Sequence, residues 1–352
     1  MVRMPSPEQQ ARFFTNLQLL LTEGEFVSTY KFALLIALTR WAMENPDHDE
    51  TIPLDVAALA PHFLELYWPH TRPFGVAALP ATDWDGVLVQ DRGGQTPKVL
   101  KLIKEAQQTG HDSIKDLPII SRERLLGAVK NSIQAIPLWK LQMVDGEAFP
   151  FLYHRGSSDQ WICFLPGIVA CLANFALLVE HVVRAAWLRF VLRCNPLLLG
   201  AACQVEEFLF PSGRGSLAAW RPVLEEVQGN RCFYCANAIS STAAIDHFLP
   251  WSRYPRDLGH NFVLVHADCN QQKRDHLASC EHLANWCRRN DEHRELLAQR
   301  FDASGLPHDW PTLRRVAGSL YHIAANTKAV VWHAGNQLVP LTSEWRHILG
   351  CA

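Results

Sequence analysis

Between residues 231 and 276 the chain reads RCFYC, then AIDHFLPW, then HNFVLVHADCNQQKRDH. The spacing of sulfur and imidazole in this window restricts the fold more than any other feature. Cys232 and Cys235 form a C-x-x-C knuckle and His266 and Cys269 an H-x-x-C knuckle, with 30 residues between the pairs. Two such knuckles close a tetrahedral set of soft ligands, the coordination of a structural Zn²⁺ with no open position. The gap is longer than in a simple zinc ribbon, so a working segment is expected to loop out between the ligands. The alternative is a redox role for Cys232 and Cys235, which no surrounding βαβ pattern supports.

The looped-out residues are chemically dense. Ala243-Ala244-Ile245-Asp246-His247 reads as a short strand that ends in a carboxylate and an imidazole, and Pro250 stops it. Asn261 to Val265 is apolar and β-branched enough to pair with that strand. Asp268 stands where an N-cap would, with Gln271 three residues on, so a helix is expected from about Cys269 with Asn270 in its first turn. Lys273 lies on the same side as Asn270. Lys273 and Arg274 near a helix N-terminus oppose the macrodipole, which suggests an external phosphate, with plain solubility as the other reading. Trp251, Tyr254, Arg253 and Arg256 in the loop between the strands read as base-stacking and phosphate contacts, or as residues that order a long loop.

This ordered set resembles the HNH endonuclease family, whose motif is a ββα-metal finger, in its zinc-stabilised, cysteine-containing branch. The matching residues are Asp246-His247, Asn261 fourteen residues after that histidine and Asn270 nine further on. CFYC, Pro250-Trp251 and the run Cys269-Asn270-Gln271-Gln272-Lys273 match as well. Two positions depart from the pattern: Asn270 replaces the last histidine of the motif, and the second knuckle is H-x-x-C. The resemblance covers roughly 50 residues. It implies one divalent ion, Mg²⁺ or Mn²⁺, held by Asp246 and Asn270 oxygens with the scissile phosphate. It also implies His247 as general base and Asn261 as a residue that orients the His247 ring or braces the loop. The substrate it implies is DNA ahead of RNA. The alternative is a non-catalytic zinc module that binds nucleic acid or a partner, which has no need of Asp246, His247 and Asn270 together.

The whole-chain balance bears on how nucleic acid is held. Lysine plus arginine total 33 against 35 acids; residues 1–200 carry 18 basic and 20 acidic side chains, and residues 201–352 carry 15 of each. Neither part is a polycation, so binding must use a local patch or a metal. At 352 residues, 48% hydrophobic and 19% charged, the chain is an ordinary globular one of two or three domains.

The expected class is α+β: a mostly helical accessory region over 1–210, an HNH nuclease domain over 216–300, and a C-terminal helix plus hairpin over 301–352. Apolar spacing of three and four predicts helices over Glu8–Leu21 and Thr29–Met43, the second stopped by Asn45-Pro46. Another follows Thr96-Pro97 and presents Lys98, Lys101 and Lys104 as a solvated face. Beyond a helix over Arg122–Ala135, a small β meander is expected within 137–165, from Pro137–Met143, Phe149–Tyr153 and Trp161–Leu165. The segment Trp161–Val179 has no formal charge, but Pro166, Gly167 and Asn174 interrupt it, so it reads as a strand leading into one long buried helix, Ile168–Leu192, and not as a membrane span.

Pro211–Gly215 reads as a linker and Leu217–Val227 as a helix. Cys280 and Cys287 recur with Leu277 and Ala284 at helical spacing and read as core. A helix over Leu313–Ala325 and a hairpin around Gly335 complete the chain. With no secretion signal read at the N-terminus, a cytoplasmic setting is expected. A regulatory protein partner and a role in restriction or antiphage defence are expected by analogy of architecture alone.

Overall fold

The computed structural model describes residues 4–75, 86–108, 114, 117–156, 158–211, 217–239 and 243–351. Contacts divide the chain into two compact units, Arg3–Met43 with Asp47–Gly213, and Arg214–Ala352 with Glu44–Pro46. The expected linker Pro211–Gly215 falls, apart from Pro211, outside the described residues.

The N-terminal unit is helical, as the apolar spacing predicts. Its first helix, Pro7–Glu23, starts where a capping box forms: the Ser6 hydroxyl accepts from the Gln9 amide at 3.2 Å, and the Gln9 side chain accepts from the Ser6 amide at 2.8 Å. The Tyr30–Glu44 helix is buried from Phe32 through Leu38, as its run of large apolar residues demands. Phe32 stacks on Trp187 at 6.2 Å and meets Phe190 edge-on at 5.8 Å. Lys98–Gln107 and Ile119–Ala135 form as helices, and a further short helix, Ala60–Tyr67, lies before them in the chain.

Three expectations for this unit are revised. Pro137–Met143 is not a strand: Pro137 opens a helical turn, Pro137–Lys140, and only Met143–Val144 pairs, with Glu147–Ala148, around Asp145-Gly146. Both turn residues have positive φ, 50° and 79°, the geometry that an Asp-Gly turn favours. The meander is instead Tyr153–Arg155 and Trp161–Phe164, and Leu54–Asp55 joins on the other edge of the latter strand. The long helix is two, Ile168–Asn174 and Ala176–Cys194, bent by 82° at Phe175. Phe175 leaves helical geometry and packs edge-on against Phe14 at 5.0 Å. Among the described residues no single helix is long and apolar enough to cross a membrane.

The C-terminal unit is built around a two-stranded antiparallel hairpin. Ala243–His247 pairs with Phe262–His266 so that Asp246 faces Val263 and His247 faces Phe262. Phe262 to Val265 are fully buried on both faces, which is why this strand reads as a continuous apolar run. Arg221–Gln228, Cys280–Glu292 and Arg294–Ala303 surround it, with Trp220, Leu224, Phe262, Leu264, Leu297 and Phe301 in one core. Cys280 and Cys287 are buried, as their spacing predicts. Gly259 has no room for a side chain, since a Cβ there would lie 2.5 Å from the Phe301 ring.

Residues beyond 300 belong to the same unit. Trp310–Asn326 and the hairpin Val330–Ala334 with Gln337–Pro340 form as expected. The hairpin then bonds back onto the unit, with Ser279 N to Trp332 O at 2.7 Å and Trp332 N to Leu277 O at 2.8 Å.

The ring of His260, beside the hairpin, is buried, and among the described residues neither nitrogen is hydrogen-bonded. Burial, and then the charges of Arg289, His308 and Arg294, push it down to about 3 from an ordinary value of 6.5. A histidine held neutral in the fold but protonated in the unfolded chain contributes stability that is complete above about 6.5. That contribution is lost as the pH falls below 6.5 toward the folded value. His260→Phe, which keeps a ring against Phe301 and Trp310, should therefore flatten the fall in melting temperature between pH 7 and pH 4.5. Parallel curves for the two proteins would remove His260 as a source of acid sensitivity.

Candidate active site

The hairpin and the short helix that follows it, Ala267–Lys273, make a ββα unit. The helix begins two residues earlier than expected: His266 is its N-cap, and Asp268 lies in the first turn, where a carboxylate suits the macrodipole. His266 thus ends the strand, starts the helix and carries a ligand nitrogen.

Cys232, Cys235, His266 and Cys269 offer four ligand atoms within 4.8 Å of one another. Zn–S bonds of about 2.3 Å and Zn–N bonds of about 2.0 Å give a tetrahedron with edges of roughly 3.3–3.8 Å. Cys235 Sγ and His266 Nδ1 stand at 3.3 Å. His266 Nε2 lies 3.2 Å from the Ala238 carbonyl, so its proton is on that nitrogen and Nδ1 is free to coordinate. Burial pushes the Cys232 thiol up, but amides of Cys235, His266 and Tyr234 outweigh this and hold it below its ordinary value. Cys269 is pushed up to about 12 by burial and by the neighbouring Cys232 and Cys235 sulfurs. Three sulfurs at this spacing can all ionise only with a cation between them, and the donor set fits Zn²⁺.

At the other end of the hairpin, Asp246, His247, Asn270 and Arg274 line one cleft of about 420 Å³ with Trp251 and Gln271. Asp246 is buried, and its Oδ2 accepts from the Tyr234 hydroxyl at 2.7 Å and from Lys273 Nζ at 3.0 Å. Among the described residues its Oδ1 has no partner, and neither does the Asn270 side-chain amide. His247 is 3% exposed, with Nε2 2.9 Å from Asp257 Oδ1. An ionised carboxylate only accepts, so the ring proton sits on Nε2 and the Nδ1 lone pair is available. Asn261, fully buried, does not touch the ring. Its Oδ1 accepts from Leu249 N at 2.8 Å and its Nδ2 donates to Leu249 O at 3.0 Å, bracing the chain just after His247.

The expected phosphate contacts divide. Arg274 is exposed and lines the cleft. Lys273 is a correction: because the helix is only seven residues long, Lys273 sits in its last turn and points inward, with Nζ on Asp246 and 3.0 Å from the His247 carbonyl. It satisfies buried acceptors and does not face solvent. Arg253 is half-buried, with Nε 3.2 Å from the Asp275 carbonyl. Arg256 is ion-paired with Glu44. Both are committed within the fold.

Two residues escaped the sequence. Tyr234 lies inside CFYC, next to Cys235, and its place in that motif is the one signal the sequence offers. Asp257, ten residues past His247, is brought to the ring by loop geometry that spacing does not encode.

Residues 232–279 match the sequence profile of the HNH endonuclease family. No curated protein and no solved structure matches the chain. The C-terminal unit carries an HNH endonuclease-family domain, and its Cys₃His cluster accords with the zinc-containing branch of that family.

Purified protein should contain about one zinc per chain by elemental analysis. Cys269→Ser should lower that content and the melting temperature together. Full stability in a zinc-free Cys269→Ser protein would show that the cluster does not hold the fold.

Proposed function

We propose that the chain is a metal-dependent endonuclease that hydrolyses phosphodiester bonds in DNA. One observation carries the reading: Asp246 Oδ1, the Asn270 amide oxygen and His247 Nδ1 belong to residues lining a single cleft, and none has a partner among the described residues. Two hard oxygen donors on fixed elements fit Mg²⁺ or Mn²⁺, which favour few protein ligands and oxygen coordination. Such an ion, when bound there, supplies Lewis-acid polarisation of the scissile phosphate and charge neutralisation at the leaving oxygen.

The protein's own groups do the rest. His247 Nδ1 takes a proton from the attacking water, while Asp257 holds the ring by Nε2 and stabilises the imidazolium. Tyr234 and Lys273 pin Asp246 through Oδ2, so its free oxygen keeps one direction. Lys273 also bonds the His247 carbonyl, which ties the base and the metal-holding carboxylate to one ammonium. Asn261 fixes the chain after His247, and Arg274 meets a neighbouring phosphate.

The N-terminal unit is read as a recognition element, with restriction or antiphage defence in the cytoplasm as the setting and a protein partner as the control. Those parts rest on analogy of architecture.

Plasmid cleavage in Mg²⁺ or Mn²⁺ tests the proposal. His247→Ala should lose at least about 100-fold in rate while keeping its zinc and a cooperative thermal transition. Unchanged cleavage would remove His247 as the base. Asp257→Ala should lose about 10–100-fold, as expected when the residue orienting an active imidazole is removed. Wild-type protein that carries zinc and binds DNA but never cleaves it would favour the non-catalytic zinc module.

A further inference from the structure

A second cleft of about 280 Å³ opens in the C-terminal unit beside the Cys232–Cys235 knuckle. Arg231, Arg288 and Arg289 line it with Gln228, Asn285 and His293. Three arginines converge there with one acid, Glu292, beside them. Arg221, Arg256, Arg300 and Arg314 each pair with a carboxylate, on Glu225, Glu44, Glu226 and Asp291 respectively. Among the described residues, Arg231, Arg288 and Arg289 pair with none.

The bonds those three make go to neutral acceptors. Arg231 Nη1 donates to the Ala236 carbonyl at 3.1 Å, and Arg288 Nη2 to Asn285 Oδ1 at 2.9 Å. Arg289 is buried, and it donates to the Phe262 carbonyl at 2.7 Å, the His260 carbonyl at 2.9 Å and Asn290 Oδ1 at 2.7 Å. A buried guanidinium without a carboxylate keeps its full charge in a poorly screened place, and its field reaches the cleft above it. Arg231 and Arg288 are exposed and retain free N–H groups there. The one acid lining the cleft, Glu292, is exposed and makes no ion pair among the described residues.

The cleft is also placed to share a ligand with the catalytic end of the hairpin. The Phe262–His266 strand pairs along one edge with the Asp246–His247 strand. On its other edge Leu264 bonds Phe233 and Gln228, two of the cleft's lining residues. Two strand spacings, about 10 Å, therefore separate the catalytic strand from the chain bordering this cleft. In residues 201–352 the basic side chains are arginine except for Lys273 and Lys328. Arginine is the side chain whose planar fork matches phosphate oxygens two at a time.

We propose that this cleft is a second phosphate-binding site, in which Arg231 and Arg288 grip the nucleic-acid backbone away from the scissile bond while Arg289 supplies fixed positive charge beneath. The inference rests on the reading of the chain as a nucleic-acid enzyme. It gives a near-neutral protein the local patch that its net charge does not provide.

The test compares the full chain with Arg231→Gln/Arg288→Gln and Arg231→Glu/Arg288→Glu. Binding of a fluorescein-labelled 25-base-pair duplex is followed by anisotropy over a range of salt, without added Mg²⁺. Zinc content and melting temperature should be unchanged, since both arginines are exposed. Affinity should fall at least tenfold in the glutamine variant and further in the glutamate variant. The slope of log affinity against log salt should shrink by about two, one for each phosphate released. Hydrolysis of bis(p-nitrophenyl) phosphate in Mn²⁺ should not change, because that ester is too small to span both clefts.

Equal affinity and equal slope in folded, zinc-loaded variants would overturn the proposal, as would wild-type protein that fails to bind the duplex. Displacement of the duplex by low-millimolar inorganic phosphate, abolished in the double variants, would overturn the backbone assignment in favour of a free-phosphate site. A wild type that binds duplex through these arginines but hydrolyses no ester would leave the second site standing and remove the nuclease reading alone.

Discussion

The buried strand Phe262–His266 is the member on which the C-terminal unit depends, because both its edges and both its ends are in use. One edge fixes Asp246 and His247 by backbone register. The other edge receives Phe233 and Gln228, and with them the zinc knuckle. At its start Asn261 braces Leu249, and at its end His266 is at once a member of the Cys₃His cluster, an N-cap and the last strand residue. A one-residue slip would move every side chain to the opposite face, so the apolar burial of this strand and the geometry of the cleft are one constraint. The zinc cluster adds to it from the side: Tyr234, held between two ligand cysteines, reaches across to Asp246. That hydroxyl is a side-chain link between the Cys₃His cluster and the cleft, beside the backbone links through the hairpin and the Ala267–Lys273 helix.

Much of this is legible in the sequence. The knuckle spacing predicts the Cys₃His cluster, since ligand sets of this kind are local pairs joined by a variable loop. Asp246, His247 and Asn270 meet in one cleft because a short hairpin followed directly by a helix leaves few ways to arrange them. Lys273 departs from its expected place for a definite reason. Placing the helix start at Cys269 put Lys273 near an N-terminus, whereas a start at Ala267 puts it in the last turn, where its stem is covered and its charge meets Asp246. Asp257 and Arg289 could not be read because their roles depend on tertiary closure. One is a loop carboxylate that happens to reach a ring, and the other a surface-type residue that the core swallows.

In the N-terminal unit the same division holds. Helix periodicity located Pro7–Glu23 and Tyr30–Glu44 to within a residue or two, because one-sided or complete burial writes itself into local spacing. It missed the break at Phe175, where a ring contact with Phe14 outweighs continued helix, and it took a proline-led helical turn at Pro137 for a strand. Apolar runs of four to seven residues do not distinguish those outcomes, since both bury the same side chains.

The attachment of the Val330–Ala334 hairpin has a consequence for how such a domain can be moved or inherited. The family segment ends at residue 279, yet Leu277 and Ser279 are hydrogen-bonded to Trp332, and Ala278 accepts from the Tyr321 hydroxyl. Trp332 also packs edge-on against Tyr234 at 4.9 Å. The portable module is thus larger than the motif that identifies it. A graft cut at the motif's boundary would leave its final turn unclamped and its carboxylate-holding tyrosine without a wall, so recombination between relatives would be tolerated only at crossovers that carry the distal hairpin along.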